Sequence, residues 1–558
     1  MGYHRSSSSR SAHMTQPRLA YAALAGVVLL AYARVLWFPF IAFDDAVLIL
    51  RNPQITRPLA APIDLLMTPH VGYIVPVTIA LKASLFAVSH GQPWSFHAAS
   101  LVLHALFATQ VCAFARQLGV RPTSAFLAAL LFALHPLVVQ PVAWAVCLKD
   151  LLMANLAFAA TRMFVAAARD RDHVPRPRIA AAVVLAVLAM LSKPTAALLG
   201  LAWLAYSLAG SEPHAAARRG ALVLTGIGGL LGLASRTTHD AFLGAETDPA
   251  WSLLTPLIVL GRQCLHVLWP ANLLIAYAPP ETDPARVPTA LLGAAVVALL
   301  LWLGVRARKS PEVLLLLCIA LGVYLPTSGL IPFGRVMSDS YVYVPLACLC
   351  IGAARAFDHH CPGPLAARTG LGLALALAAA LATSGALQLP RWQGGAALWG
   401  PVVRTYPQFA MAHRLFADEL VFRGEPARAV APYQRAFALD YDPRFLLEFG
   451  TTLSMAGRIP EAECVLIEAI AYGNDPGYAL FNFAALLAFH PDYAPEHTAL
   501  AKQLLRRFER MRSSQQLQFP PGLEPGLARQ IARLGPAAAQ DAPWPRRNCA
   551  VLRAATTT

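Results

Sequence analysis

Residues 19–38 read LAYAALAGVVLLAYARVLWF, and residues 39–55 continue as PFIAFDDAVLILRNPQI. The first stretch has the length of about 20 apolar residues that an α-helix needs to cross the hydrocarbon core of a bilayer. The second stretch places two adjacent carboxylates, Asp44 and Asp45, soon after that helix. Together they predict an uncleaved membrane helix that ends at a polar surface.

The composition extends this pattern to the whole chain. Of its 558 residues, 57% are apolar and only 13% are charged, against roughly 25% charged residues in an ordinary soluble domain. So few charges could not cover the surface of a soluble protein of this length. The composition therefore excludes a cytosolic enzyme, a fibrous protein and a disordered chain, and it indicates a polytopic membrane protein in a lipid bilayer. The cysteines form no CxxC pair, which argues against a zinc site or a disulfide framework.

The apolar segments predict an all-α membrane helix bundle of about eleven spans. They lie near residues 19–38, 97–115, 122–140, 148–168, 179–192, 194–209, 219–235, 288–305, 311–330, 340–357 and 369–389. The net charge of +15 is concentrated in short loops between these segments, which is a sign of membrane topology and not of a nucleic-acid partner. The positive-inside rule places the Arg-rich loops and the N-terminus in the cytoplasm. The opposite, outer side then receives segments 39–96, 135–150, 236–287 and 331–341.

Two other apolar stretches are predicted not to cross the membrane. Residues 74–92 contain Lys82 and Pro76 and look amphipathic, so they are expected to lie at the membrane surface. Residues 252–270 are apolar enough to cross, but a crossing there would move the positive cluster at 306–309 to the outer side. This stretch is therefore predicted to be re-entrant or interfacial.

After Pro390 the chain becomes polar, with a helical apolar period. Five residues recur 33 positions later, close to the 34-residue tetratricopeptide (TPR) repeat: Gly424, Ala429, Tyr433, Ala436 and Pro443 return as Gly457, Ala462, Leu466, Ala469 and Pro476. A short TPR α-solenoid would bind protein or peptide in its concave groove, whereas the alternative is a helical bundle with chance spacing. The predicted organisation is a cytoplasmic tail (1–18), a transmembrane domain (19–390) with outer loops 39–96 and 236–287, helical repeats (391–510) and a Pro- and Ala-rich tail (511–558).

Asp44 and Asp45 are the candidate catalytic residues. Two carboxylates at a membrane surface could activate an acceptor hydroxyl as a general base, or hold a divalent cation such as Mg²⁺ or Mn²⁺. The alternative interpretation is a helix cap, in which an Asp accepts backbone N–H bonds.

Candidate binding residues lie at the predicted outer ends of other spans. His135 ends one span, and Lys149 and Asp150 begin the next. A lysine there could bind a phosphate or simply reach for the membrane surface. Lys193 opposes the charge bias of the outer side, and an anionic ligand would explain it.

Three more positions complete the set. Arg262 lies in the predicted re-entrant segment, where an arginine usually pairs or serves function. Arg335 and Asp339 flank the outer end of the 340–357 span, and Tyr341 follows, although an interfacial tyrosine is also typical of an aromatic belt. The chain contains no P-loop and no Gly-rich nucleotide fingerprint. Carboxylates and cations at an outer membrane face suit a donor with a lipid tail and a phosphate leaving group.

Taken in order, these segments resemble the GT-C type multi-spanning glycosyltransferases with C-terminal TPR repeats, the transmembrane-and-TPR O-mannosyltransferase-like family. The likeness covers most of residues 38–350 and is carried by FDDAVLILRNPQI, GYIVPVTIALKASLFAVSHGQPWSFHAASLVLH, HPLVVQPVAWAVCLKDLL, LSKP, RQCLHVLWPANLLIAY and SDSYVYVPL. The resemblance implies transfer of a sugar, with inversion, from a polyprenyl-phosphate donor to a protein or envelope acceptor. By this resemblance, Asp44 and Asp45 match the acidic pair, and Arg262 matches the polar position of the re-entrant segment. The positions near the donor phosphate and the site are matched by His135, Lys149, Asp150 and Lys193.

The chain departs from the family pattern at four places. Where the family has Tyr-Arg, this chain has Ile74-Val75, and where the family has Glu after HPxxx, this chain has Gln140. Where the family has Glu after Lys, this chain has Pro194, and where the family has Arg before Tyr, this chain has Ser340. Two positive and two negative positions are lost together, which suggests that ion pairs vanished as pairs. The alternative function is therefore a catalytically inactive scaffold whose TPR region recruits envelope partners. A transporter or flippase is a third candidate function.

The Ala, Leu, Pro and Arg bias suggests a GC-rich bacterial genome. The expected location is then a bacterial inner membrane, with the active site and the TPR region in the periplasm.

Overall fold

The computed structural model describes residues 7–57, 73–170, 176–210, 215–243, 254–280, 285–330, 335–472, 476–489 and 506. Within these ranges the chain is 84% helical and has no β-strand, which confirms the predicted all-α class. The chain divides into two compact units, Met1–Gln393 and Gly394–Thr558. Residues 1–6 of the predicted N-terminal tail and all of the predicted tail 511–558 lie outside the described residues, whereas residues 7–18 of the predicted N-terminal tail belong to the first helix.

The first unit contains fifteen described α-helices, which are joined by turns, by short 3-10 segments and, directly after Asp45, by the π-helical segment Ala46–Leu50. They are α1 Ser7–Tyr32, α2 Pro53–Thr56, α3 Pro76–Ser89, α4 Trp94–Gln117, α5 Pro122–Leu134, α6 Val139–Ala143, α7 Leu148–Arg169, α8 Arg176–Ser192, α9 Leu199–Ala209, α10 Ala215–Leu243, α11 Thr255–Leu268, α12 Arg286–Ala307, α13 Pro311–Tyr324, α14 Tyr343–His360 and α15 Pro364–Gln388.

Seven helices of the described chain are long and apolar enough to cross a membrane, and α5 with α6 makes an eighth if the bent pair counts as one span. The other three predicted spans, at 179–192, 194–209 and 311–330, are helical, but each is shorter than 18 residues. Helices α3 and α11, in the two stretches predicted not to cross, have 14 residues each and are not among the candidate spans.

Two Xaa-Pro steps end helices where candidate residues lie. The ring of a proline disfavours helical backbone in the preceding residue. His135, before Pro136, is extended (φ −67°, ψ 132°), and α5 and α6 meet there at a bend of 56°. Lys193, before Pro194, is extended as well (φ −155°, ψ 123°). Local sequence therefore fixes both side chains at helix ends.

Aromatic packing holds the centre of the first unit. The ring of Phe107 on α4 contacts Phe132 of α5, Phe158 of α7 and Tyr343 of α14, with centroid distances of 5.4, 4.7 and 5.2 Å. His104 Nδ1 lies 2.7 Å from the Tyr343 hydroxyl. Aromatic pairs of this kind stabilise beyond their buried area. They fix the start of α14, and with it the segment that contains Asp339 and Tyr341.

Helices α12 and α15 lie at the periphery of the bundle. Only 11% of the apolar window of α12 and 17% of that of α15 are buried. Large apolar side chains such as Leu301 and Trp302 are exposed. Apolar surface of this extent is unfavourable in water and favourable in lipid, as expected of an integral membrane protein.

Glycines bring α11 and α12 into close contact. A Cβ added at Gly261 would meet the Thr289 carbonyl oxygen at 1.9 Å, and one added at Gly293 would meet the Leu257 carbonyl oxygen at 2.0 Å. Small residues allow membrane helices to pack with their backbones in contact. This contact fixes α11, which contains Arg262 and His266.

The second unit contains six described helices: α16 Ala396–Thr405, α17 Ala410–Phe422, α18 Pro426–Leu439, α19 Leu446–Met455, α20 Ile459–Tyr472 and α21 Pro476–Phe489. The repeated glycines Gly424 and Gly457 both adopt left-handed backbone (φ 77° and 74°), which ends a helix at equivalent places. Ala429 and Ala462, also repeated, are fully buried. Cys464 is disulfide-bonded, which the sequence did not predict.

Candidate functional site

The two adjacent carboxylates have different surroundings. Asp45 is 1% exposed, and both of its oxygens accept backbone hydrogen bonds of 3.0 Å: Oδ2 from the Ile41 N–H and Oδ1 from the Val146 N–H. It thus joins the segment after α1 to the segment before α7. The cap interpretation is right that Asp45 binds backbone N–H groups, but these N–H groups are not those of the helical turn that it precedes.

Asp44 is the accessible carboxylate, with 28% of its side chain exposed. Its Oδ2 accepts a hydrogen bond of 3.0 Å from Arg335 Nη2. The guanidinium carbon of Arg335 lies 4.6 Å from the Phe43 ring centre and 4.8 Å from that of Trp144. These cation–π contacts hold the arginine in one place, so Asp44 faces a fixed positive partner.

Two lysines lie within electrostatic range of each other, and one of them, Lys82, also lies near the acidic pair. Lys82 on α3 is 2% exposed, and Lys149 on α7 is partly buried. Neither makes a hydrogen bond or an ion pair with any residue that the structure describes. Burial lowers the pKa of Lys82, and the neighbouring charge of Lys149 lowers it further, while Asp45, Cys147 and Asp44 raise it. Two unpaired ammonium groups close enough to repel each other are unfavourable unless an anion joins them.

Burial also determines the state of Asp45. Desolvation raises its pKa above the usual range of an aspartate, although the Ile41 N–H, the Lys82 charge and the Val146 N–H act in the opposite direction. An aspartate in this environment takes up a proton more readily than an exposed one. Both of its oxygens are nevertheless taken by backbone N–H groups, so its geometry suits a structural role and leaves Asp44 as the candidate base.

Asp150 and Lys193 form a second ion pair nearby. The Lys193 ammonium lies 5.3 Å from the ring centre of Tyr341. The Tyr341 hydroxyl donates a hydrogen bond of 3.3 Å to the Arg335 carbonyl oxygen. The pair is therefore joined through Tyr341 to the segment that contains Arg335.

Electrostatic interactions unite these residues into one group. The buried Cys147 side chain lies within electrostatic range of Asp150, Lys149, Arg335 and Lys193. Tyr341 likewise interacts with Arg335, Asp150 and Asp44. We call this group the Asp44 cluster; its members are Asp44, Asp45, Lys82, Lys149, Asp150, Lys193, Arg335 and Tyr341.

Asp339 belongs to a neighbouring network. Its carboxylate accepts hydrogen bonds of 2.9 Å from the Tyr277 hydroxyl, and its Oδ1 lies 3.3 Å from Nδ1 of His266. Gln140 Oε1 accepts hydrogen bonds from the Ser340 N–H (2.9 Å) and the Ser338 hydroxyl (3.1 Å). Gln140 and Ser340, which lie 200 positions apart in the chain, are thus in direct contact.

The side chains of His135 and Arg262 form hydrogen bonds with backbone groups. The Leu137 N–H donates to His135 Nδ1 (3.2 Å), so Nε2 is the nitrogen that donates to the Val267 carbonyl oxygen (3.0 Å). Arg262 is buried and donates to the Ala278 carbonyl oxygen at 3.4 Å. The structure thus gives both side chains backbone partners, and neither contacts a member of the Asp44 cluster in the hydrogen bonds described.

The acidic pair does not fit a divalent cation. Both oxygens of Asp45 are taken by backbone N–H groups, and Asp44 faces a guanidinium. Among the described residues, no group of three or more His, Cys, Asp or Glu side chains could hold a metal. Magnesium and manganese prefer several oxygen ligands, and the acidic pair does not offer them.

Sequence reasoning missed Lys82 as a site residue because it assigned the whole of 74–92 to the membrane surface. A signal was present: a lysine with apolar residues on both sides, in IALKASLF, must either reach water or find an anion. Trp144, which holds Arg335, carried no comparable signal.

The comparisons with known proteins give little for this chain. Residues 327–336 match the Periviscerokinin family model, a stretch too short to show a family. No curated protein and no solved structure matches the chain.

Proposed function

We propose that this chain is an integral membrane glycosyltransferase that moves a sugar from a polyprenyl-phosphate donor to a protein or envelope acceptor. The proposal rests on the sequence resemblance and on one observation. Lys82, in the middle of α3, and Lys149, at the start of α7, carry positive charges that no ion pair of the described structure matches, and Lys82 lies within electrostatic range of the accessible carboxylate, Asp44. A phosphate on a lipid tail would supply the missing negative charge and would reach the site from the bilayer.

The residues support an inverting displacement. Asp44 would accept the proton of the acceptor hydroxyl while the oxygen of that hydroxyl forms a bond to the anomeric carbon of the sugar. The bond from that carbon to the phosphate oxygen would break, and its electrons would leave with the polyprenyl phosphate. Lys82 and Lys149 would stabilise the negative charge that grows on this leaving group. Arg335 would hold Asp44 in place, and Asp45 would fix the backbone around it.

The finer architecture belongs to the same proposal. The seven long apolar helices, the bent pair and three shorter apolar helices would together make the eleven spans of a GT-C type bundle. The equivalent left-handed glycines and buried alanines of the second unit support the TPR interpretation, and its groove would present the acceptor. A disulfide at Cys464 suits an oxidising compartment, which supports a periplasmic location for this unit.

Transfer of labelled sugar tests the proposal. Membranes that contain the full chain are given a panel of polyprenyl-phosphate monosaccharides, with wild type and Asp44→Asn compared at equal amounts of folded protein. We expect transfer from one donor and a fall of about 100-fold or more in the variant. Equal transfer by the variant, or no transfer by folded wild type from any donor, would contradict the proposal.

The neighbouring Asp45→Asn variant is the matched control. It leaves Asp44 intact but removes one acceptor for a backbone N–H, so it should lower the amount of folded protein more than the turnover per folded molecule. A turnover loss as large as that of Asp44→Asn would mean that the two carboxylates act as one unit.

The second candidate function is an inactive scaffold that recruits envelope partners through the second unit. The contact between Gln140 and the Ser340 backbone favours the scaffold, because the charges that the resemblance implies at both positions are absent and the two residues form a neutral hydrogen bond instead. Folded wild type that transfers no sugar but retains a bound partner through residues 394–489 would support this alternative.

A further inference from the structure

A small cavity lies beside the ion pair of Asp150 and Lys193. It has a volume of about 10 Å³, which is room for about one water-sized group. Thr195 and Tyr341 also line it. Two buried oxygens of these lining residues, Asp150 Oδ2 and Thr195 Oγ1, have no hydrogen-bond partner in the described structure. Buried polar atoms without partners are rare in native proteins and call for an explanation.

The charges around the cavity restrict the occupant. The other carboxylate oxygen of Asp150 is already neutralised by Lys193, so the cavity does not need a cation, and the Lys193 ammonium would repel one. An anion would in turn meet the unpaired Asp150 oxygen. A neutral hydroxyl fits both conditions, because it can donate to Asp150 Oδ2 and accept from the Thr195 hydroxyl.

The position of the cavity connects it with the proposed reaction. Tyr341, which lines it, bonds to the backbone of Arg335, and Arg335 holds Asp44. We propose that the cavity receives one hydroxyl group of the donor sugar and thereby selects among sugars. This inference rests on the proposed function. It also gives Asp150 and Lys193 a role in sugar recognition, and it leaves the phosphate to Lys82 and Lys149.

Pairing an enzyme variant with deoxy sugars tests the inference. The parent sugar that wild type transfers is compared with its single-deoxy analogues, in wild type and in Thr195→Val, which keeps the branched shape and removes only the hydroxyl. Because that hydroxyl has no partner, its removal breaks no hydrogen bond of the protein, and the variant is expected to fold. Thr195→Ser keeps the hydroxyl and is the conservative control.

We expect one deoxy analogue to lose about 10- to 100-fold in kcat/KM with wild type, as for a hydrogen bond to a charged group. Thr195→Val should lose activity toward the parent sugar and show a smaller further loss with that analogue than wild type does, because only the hydrogen bond to Asp150 is then left to lose, while Thr195→Ser behaves as wild type. Equal losses for every sugar in Thr195→Val, or no loss at all, would overturn the inference and leave only a buried water in the cavity. Absence of transfer by wild type would instead overturn the proposed function, and this inference with it.

Discussion

Helix α7 has charged residues at both of its ends, and the two ends differ in how the charges are paired. With 22 residues the helix is about 33 Å long. At its last residue, Arg169 donates to Glu312 (2.8 Å), and Glu312 also faces Arg355 at 3.4 Å. At its beginning, Lys149 has no partner within the described chain, and neither has Lys82 beside it.

The paired end is satisfied beyond its ion pairs. Arg169 also donates to the Gln117 carbonyl oxygen (2.6 Å) and to the Tyr206 hydroxyl (3.0 Å). Nearby, Arg121 and Asp358 form an ion pair of 2.7 Å. Charged side chains that form ion pairs with each other connect helices, but they bind an added ligand only weakly. The Asp44 cluster keeps positive charge unmatched, and this difference is the physical reason to place the ligand at that end.

Removal of the two unpaired lysines is expected to have the largest effect. The double variant Lys82→Met, Lys149→Met should lose about 100-fold or more in kcat/KM for the lipid-linked donor, because each charge-assisted contact to phosphate contributes about 1.5–3 kcal/mol. Its melting temperature should stay the same or rise, since removal of the repulsion and of a buried charge is favourable. Transfer kinetics and thermal unfolding in detergent measure the two quantities.

Lys309→Met is the matched control, since Lys309 is an exposed lysine that is not part of the Asp44 cluster. It should change neither quantity. If the double lysine variant lost stability together with activity, the lysines would be structural and the contrast between the two ends of α7 would fail.

Glu312→Gln should show the opposite pattern. The change removes a charge that two arginines share, so we expect the free energy of unfolding to fall by about 1–2 kcal/mol, a value reduced for solvent screening because both guanidinium groups are about one third exposed. The kcat/KM per folded molecule should stay near wild type. Loss of activity without loss of stability would show that this end also has a functional role.

The fold was largely predictable because its signals are local. A helix is indicated by the apolar run at 19–38, and helix ends are indicated by the Xaa-Pro steps at His135 and Lys193. None of these signals depends on distant residues. The 33-residue spacing of Gly424 and Gly457 likewise predicts a repeated unit, and both glycines adopt left-handed backbone.

The sequence was enough to predict which residue types form the site, but not which residues contact each other in it. Asp44 and Arg335 are 291 positions apart, and no local pattern connects them. Which of two adjacent aspartates becomes buried depends on the Val146 N–H, a backbone group that the sequence does not distinguish from any other. Lys82 was missed for the same reason, because its unpaired state follows only from the packing of α3 against its neighbours.

Asp45 provides the smallest of these effects, a dependence of stability on pH. Burial raises its folded-state pKa, so the folded chain binds this proton more tightly than the unfolded chain does. The contribution to stability is full below the usual aspartate pKa of about 4 and is lost as the pH rises through the raised value. Lys82 has a lowered pKa, yet it stays protonated in both states in the acidic range and adds no slope there.

Melting temperatures of wild type and Asp45→Asn from about pH 4 to about pH 7 isolate this contribution, because every other titrating group is common to both. Wild type should be the more stable protein in acid, where its extra proton is bound, and its advantage over the variant should shrink by a few degrees toward neutrality. A constant difference would mean that Asp45 is ionised over this whole range, held charged by the backbone N–H groups and by Lys82. Lys82 would then be effectively paired, and the anion-binding charge at this end of α7 would be reduced to Lys149 alone.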